Sequence, residues 1–175
     1  MRFASILALC LGLIPLAGAT AQTAGERCPR TPLPPLGSGD GAGGTRHLNP
    51  PGLMDSSRFF SQAVVAPRGT TVHVAGQTGF RVDRSIAPTK QGQMAQAFEN
   101  VKIALEAAHA RTDQVVMMNV YIVGYTEADL EELAQCTAAY FPPDRLPAST
   151  LVPVPRLARN ELLFEIDVIA VIPTP

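Results

Sequence analysis

The stretch 115–123, Val-Val-Met-Met-Asn-Val-Tyr-Ile-Val, constrains the fold more than any other part of the chain. It is apolar at both alternating sets of positions, so as a strand it needs cover on both faces. The stretch 162–172 repeats the problem. Phe164, Ile166, Val168 and Ala170 share one side and suit a helix layer, whereas Leu163, Glu165, Asp167 and Ile169 share the other. In the 115–123 strand, Val116, Met118, Val120 and Ile122 are read as a second apolar face opposite Met117 and Tyr121. A chain of 175 residues has room for one domain and few helices. Those helices cannot cover both faces of a sheet, and another copy of the chain is the economical cover for the second.

The other elements follow from spacing. Order is expected to begin near Phe59, with strands over 60–65 and 71–78 separated by a Pro67-Arg68-Gly69 turn. Over 89–109, Met94, Ala97, Phe98, Val101, Leu105 and Ala108 recur at three- and four-residue steps, which predicts a helix with Gln93, Gln96, Asn100 and Glu106 on its outer side. Thr126 can cap a second helix whose inner stripe is Leu130, Leu133, Ala134, Thr137 and Phe141, and Pro142-Pro143 ends it. Strands over 148–154 and 162–172 complete the order β-β-α-β-α-β-β. Both helices then lie on one face of a mixed sheet, an α+β two-layer domain.

This domain is preceded by segments of another kind. Arg2, the apolar run 6–19 and the small-x-small triplet Ala19-Thr20-Ala21 have the order of a secretory signal peptide, expected over 1–21. The run is shorter than the roughly 20 residues that a spanning helix needs, so no membrane anchor is expected after cleavage. Residues 22–49 are rich in Pro, Gly, Ser and Thr and are expected to form a flexible tail, leaving 50–175 as the domain. The expected location is periplasmic or secreted. In such an oxidising space Cys28 and Cys136 either pair or remain one tail thiol and one packed helical thiol.

Composition excludes several function classes. Lys+Arg and Asp+Glu number 14 and 15, and loss of the leader with Arg2 takes the net charge from −1 to −2. No basic field exists to hold nucleic acid. His47, His73 and His109 lack ligand spacing and no Cys-x-x-Cys is present, so neither a metal nor another cofactor is expected. The tail glycines are not followed by Lys-Ser/Thr as a phosphate-binding loop requires.

Six segments together resemble the Rid (YjgF) superfamily. They are Leu48-Asn49-Pro50-Pro51-Gly52, Phe60-Ser61-Gln62-Ala63-Val64, Val74-Ala75-Gly76-Gln77-Thr78, Phe98-Glu99-Asn100-Val101-Lys102, Pro147-Ala148-Ser149-Thr150 and Glu165-Ile166-Asp167-Val168-Ile169-Ala170. The resemblance implies a chorismate-mutase-like fold and a homotrimer with a small-molecule ligand in each inter-subunit cleft. It also implies hydrolysis of reactive enamines and imines derived from amino acids. Active members carry an Arg directly after the Pro-Ala of the fifth segment, thought to hold the substrate carboxylate through two parallel hydrogen bonds. Ser149 stands there in this chain.

Other matched positions depart in the same sense. Phe60 replaces a cleft Tyr, Ala134 a cleft Asn and Leu151 a frequent Cys. Gly76 and Glu165 are retained, the first leaving room for a ligand and the second able to position or activate water. The resemblance thus assigns catalysis to Glu165 and substrate contact to Phe60, Gly76, Ser149 and Thr150. Loss of the Arg removes a contact worth roughly 1.5–3 kcal/mol to a carboxylate ligand, along with its orientation. Arg156 and Arg159 are the candidates for a substitute cation. The structural alternatives are plain: Glu165 and Asp167 as solvated interface acids, Ser149 and Thr150 as small strand residues, and Tyr121 and Tyr125 as packing or rim residues. Three functions are weighed: a cleft protein binding a less acidic metabolite, with or without hydrolysing it; an enamine/imine deaminase working without the usual Arg; and a non-catalytic, chaperone-like interaction protein.

Overall fold

Alternating strands and two amphipathic helices assemble as the spacing predicts. The computed structural model describes residues 44–174. The expected leader, Cys28 and the tail as far as residue 43 lie outside those residues. The elements are β1 (Arg46–Leu48), β2 (Ala63–Val65), β3 (Gly69–Thr78), α1 (Lys90–Ala107), β4 (Val115–Val123), α2 (Glu127–Tyr140), β5 (Ala148–Val154) and β6 (Phe164–Pro173). The main sheet has the order β3-β6-β4-β5. Its β3/β6 and β6/β4 pairs are antiparallel and its β4/β5 pair is parallel. Both helices pack on one face, where Phe98, Val101, Leu133 and Tyr140 share a single core with Met118, Val120, Ile122, Phe164, Ile166 and Val168. This is the chorismate-mutase-like two-layer α+β arrangement.

Four expectations need correction. Order begins before Phe59 and inside the segment 22–49 expected as a flexible tail, ahead of the expected domain start at residue 50, because β1 pairs antiparallel with β2 in a separate two-stranded ladder. The strand expected over 60–65 shortens to Ala63–Val65, stays out of the main sheet and leaves Phe60 outside any strand. In β4, Met118, Val120 and Ile122 form the core face itself, not the second one. A register shift between Val115 and Met117 brings Val115 into that core row in place of Val116. The half-exposed face carries Met117, Asn119, Tyr121 and Val123 beside Glu165, Asp167 and Ile169.

Gln93 is the fourth. It is 2 % exposed, not outward-facing. Its Nε2 donates to the carbonyls of Ala87 (3.2 Å) and Glu161 (2.8 Å), and its Oε1 accepts from Leu163 N (2.7 Å). Both ends of the amide are satisfied, which offsets the cost of burying it. Gly79 lies so close that a Cβ there would stand 2.8 Å from the Gln93 Cα. Two turns further on, Asn100 Nδ2 donates to the carbonyls of Thr78 (2.9 Å) and Phe80 (2.8 Å). Two side-chain amides on α1 thus stitch the end of β3 and its following loop to the helix.

The helix ends are built locally. Thr89 caps α1 by accepting from Gly92 N at 3.1 Å. Its far end turns through His109, at φ 58°. There Ala110 N bonds Leu105 O (2.9 Å) and His109 N bonds Glu106 O (3.0 Å), a Schellman turn with His where Gly is usual. At α2, Asp129 accepts from Thr126 N (2.6 Å), Thr126 Oγ1 (3.1 Å) and Lys90 Nζ (3.0 Å). This buried carboxylate ties the starts of the two helices together. Between them, the Phe98 ring meets Tyr140, Phe141 and Phe164 at centroid separations of 5.2, 6.3 and 6.2 Å. Burying such a ring is worth about 2–3 kcal/mol.

Cys136, 2 % exposed, is disulfide-bonded. The packed-thiol alternative is therefore set aside, and the bonding partner lies outside the described residues.

Candidate ligand-binding site

A pocket opens on the helix side of the sheet, between α2 and the β4–β5 pair. Phe59, Phe60, Met118, Leu130, Leu133, Ala134, Thr137, Ser149 and Leu151 line it, around about 350 Å³ of empty space that is partly open to solvent. Local hydrogen bonds bring the two phenylalanines there. Phe59 N and Phe60 N both donate to Ser56 O, at 2.7 and 2.9 Å, and Ser56 Oγ returns a bond to Phe60 O at 3.0 Å. Ser61 N then donates to Pro147 O (3.0 Å) and Ser61 Oγ to Leu146 O (2.5 Å), which pins this turn beside β5. His47 Nδ1, 2.8 Å from the same Leu146 carbonyl, ties β1 to it as well.

The sheet register aims Ser149 into this pocket. Ser149 pairs with Met118, which pairs with Val168, and Met118 and Val168 belong to the core row. Of the nine lining side chains only Ser149 and Thr137 carry a hydroxyl, and none is ionisable. Thr137 is 1 % exposed, and its Oγ1 has no hydrogen-bond partner among the described residues.

The other matched residues gather on the opposite side of the sheet. Glu165 pairs with Thr78 on one flank and Tyr121 on the other. A β-bulge between Val74 and Gln77 carries Gly76 under it. Burial foremost, and then the charge of Asp167, hold the Glu165 carboxyl above its ordinary value. Burial likewise raises the Tyr121 phenol, with Asp167 and Glu165 adding to the effect. Asn119 Nδ2 donates to Asp167 Oδ1 at 2.9 Å. Among the described residues, no group of three or more His, Cys, Asp or Glu converges as a metal site would require.

Within one copy, then, Phe60 and Ser149 meet, together with Ala134 and Leu151. Gly76 and Glu165 meet elsewhere. Thr150 is exposed and alternates away from Ser149; its partner Asn119 pairs in turn with Asp167, which puts Thr150 on the Glu165 side of the sheet, apart from the pocket. Arg156 and Arg159 do not line the pocket. Arg156 Nε bonds Leu157 O at 3.2 Å, and Arg159 lies over the Phe80 ring at 5.6 Å. The cation at the rim is one the sequence reading passed over. Arg58 lies 5.3 Å from the centroid of the pocket-lining Phe59 ring, its guanidinium held by both oxygens of Glu131 at 2.6 and 2.7 Å. Thr137 was legible only as a helix-stripe residue, since nothing in its spacing marks an unpaired hydroxyl.

Known proteins resemble this chain in sequence and fold. The family model described as Endoribonuclease L-PSP matches residues 53–172. A 2-iminobutanoate/2-iminopropanoate deaminase of Dermatophagoides farinae is 31% identical over 115 residues, spanning 65% of this chain and 85% of the relative. The crystal structure of a conserved Rid-family protein from Yersinia pestis is similar at TM-score 0.69 and 30% identity, over 73% of this chain and 98% of that one. RidA from an Antarctic Psychrobacter species is similar at TM-score 0.54 and 31% identity, over 65% of this chain and 88% of its own. With the family model covering most of the domain, and the helices and mixed sheet laid out as in these relatives, the chain belongs to the Endoribonuclease L-PSP family of the Rid superfamily.

Proposed function

We propose that this chain is an exported Rid protein that assembles as a homotrimer and binds a small metabolite in the clefts between copies, with hydrolysis as the reaction open to it. One observation carries the reading. Phe60, Ala134, Ser149 and Leu151 line a pocket on the helix side of the sheet, whereas Gly76 and Glu165 sit together on the other side. The sheet separates the two groups within one copy. They line one cleft when a neighbouring copy packs its Glu165 face against the pocket mouth, which also covers the half-exposed apolar face. In that cleft the Glu165 carboxyl, raised by burial, is suited to exchange a proton with a water. The stretch Met1 to Ala21 supports export.

The pocket holds no cation to anchor a carboxylate, so typical imino-acid deamination is weak or absent in this reading. The deaminase from Dermatophagoides farinae, at 31% identity, favours a second reading in which deamination persists without the usual Arg. One experiment separates them. Sedimentation first checks that the processed chain is a trimer at micromolar concentration. The protein, Ser149→Arg and Glu165→Ala are then compared in hydrolysing 2-iminopropanoate generated in situ. A silent wild type with a gain in Ser149→Arg supports the first reading. Wild-type turnover lost in Glu165→Ala supports the second. A monomer sinks the shared cleft in both.

A further inference from the structure

We infer that the pocket behind Phe60 takes an uncharged, largely apolar molecule with one hydrogen-bonding group, of the class of a short-chain ketone or ester, and that Thr137 Oγ1 holds that group. The inference rests on the cleft reading above and names the chemistry of its ligand. The lining is hydrocarbon, aromatic or thioether except at Thr137 and Ser149. A carboxylate placed there would lose its water shell with no charged partner in return. Arg58 does not alter this, because its side chain is exposed, paired with Glu131 in solvent, and is not among the lining residues.

Thr137 supplies the second, independent observation. Its side chain is almost wholly buried, it lines the pocket, and its Oγ1 is one of two buried side-chain polar atoms without a partner among the described residues. Buried polar groups are nearly always satisfied, and an unsatisfied one costs stability. Valine has the same shape without that cost, and the helix stripe is otherwise apolar here. A ligand carbonyl or hydroxyl inside the pocket gives the Thr137 hydroxyl the partner it lacks. Ser149, on the β5 side of the pocket, is the other hydroxyl in its lining.

The test compares 2-pentanone with 2-oxopentanoate, which share a five-carbon chain and differ by the carboxylate. Each is titrated into the protein, expressed with its own leader and processed by the host, with binding read from amide shifts. The wild type is expected to bind the ketone at least about tenfold more tightly than the oxoacid. Thr137→Val should weaken ketone binding about fivefold while raising the melting midpoint of the ligand-free protein. That pair of effects separates a ligand contact from a structural one, whose loss would lower the midpoint. Equal or tighter binding of 2-oxopentanoate overturns the inference, as does a Thr137→Val variant with unchanged ketone affinity. Both of those outcomes leave the cleft reading standing. Saturation by neither compound, with Ser149→Arg also unresponsive to 2-oxopentanoate, overturns the cleft reading and the inference with it.

Discussion

Gly76 and Glu165 fit together at the level of single atoms: a Cβ on Gly76 would stand 1.9 Å from Glu165 Oε1. The carboxylate occupies space that any other residue at position 76 would fill. Gly76→Ala should therefore swing the Glu165 side chain out toward water while changing stability by less than about 1 kcal/mol, because the displaced atom ends a flexible chain. Carboxyl-carbon NMR titration of Glu165 checks this, and its raised pKa should fall back toward the ordinary value. Gly69→Ala is the contrast. Its Cβ would meet the Ile172 backbone oxygen at 2.1 Å, and a loss of about 2–3 kcal/mol is expected in urea unfolding.

The Glu165 carboxyl also sets a pH dependence. Its folded pKa lies above the ordinary value of 4.5, so the native state binds more protons than the unfolded chain in the window just above 4.5. Stability therefore falls as pH rises through that window and levels off once both states are ionised. Glu165→Gln should remove this slope and be more stable than wild type at neutral pH. Urea midpoints measured from pH 4 to 8 on both proteins decide it, and parallel curves would contradict the assignment.

Asp129 holds the two helix starts together, and its side chain is 7% exposed. Asp129→Ala removes three hydrogen bonds and leaves Lys90 with Gly124 O alone, at 2.8 Å. A loss of about 2–4 kcal/mol is expected by equilibrium unfolding. Asp129→Asn keeps an acceptor for Thr126 and should lose less.

His109→Gly should stabilise the protein by about 0.5–1 kcal/mol. The left-handed backbone at φ 58° is strained for histidine and free for glycine. The side chain is exposed and no packing is lost. A rise in the thermal midpoint is the readout, and a fall would show that His109 makes a contact of its own.

With cysteines at 10, 28 and 136, and Cys10 inside the expected leader, Cys28 is the expected disulfide partner of Cys136 in the processed chain. A non-reducing peptide map should find the two joined. Reduction should lower the melting midpoint, by at most about 4 kcal/mol of stability.

The layers were legible because their residues keep a strict period. Phe164 through Ala170 alternate without a break, and the α1 stripe recurs without one. What escaped breaks a period or depends on distant partners. β1 is three residues long within a Pro- and Gly-rich stretch and has no pattern to show. The bulge near Val115 shifts a row by one residue, which a strict alternation misassigns. Gln93 is polar by composition and buried by virtue of acceptors and a donor that fold back from residues 87, 161 and 163. At the site, the family resemblance named Phe60, Gly76, Ser149, Thr150 and Glu165 together; alternation alone sets Ser149 and Thr150 apart, but only the strand register shows that Ser149 takes the core side.

The main sheet ends in two strands that resist extension. Pro153 stands in β5 and offers no amide to an incoming strand, and the Ser61–Ala148 bridge already occupies the other end of that edge. At the opposite edge, the β3 bulge bends the ladder out of register. An apolar β-rich chain is thereby guarded against fibre-like growth by strand addition, so its stickiest surfaces are left for association broadside on.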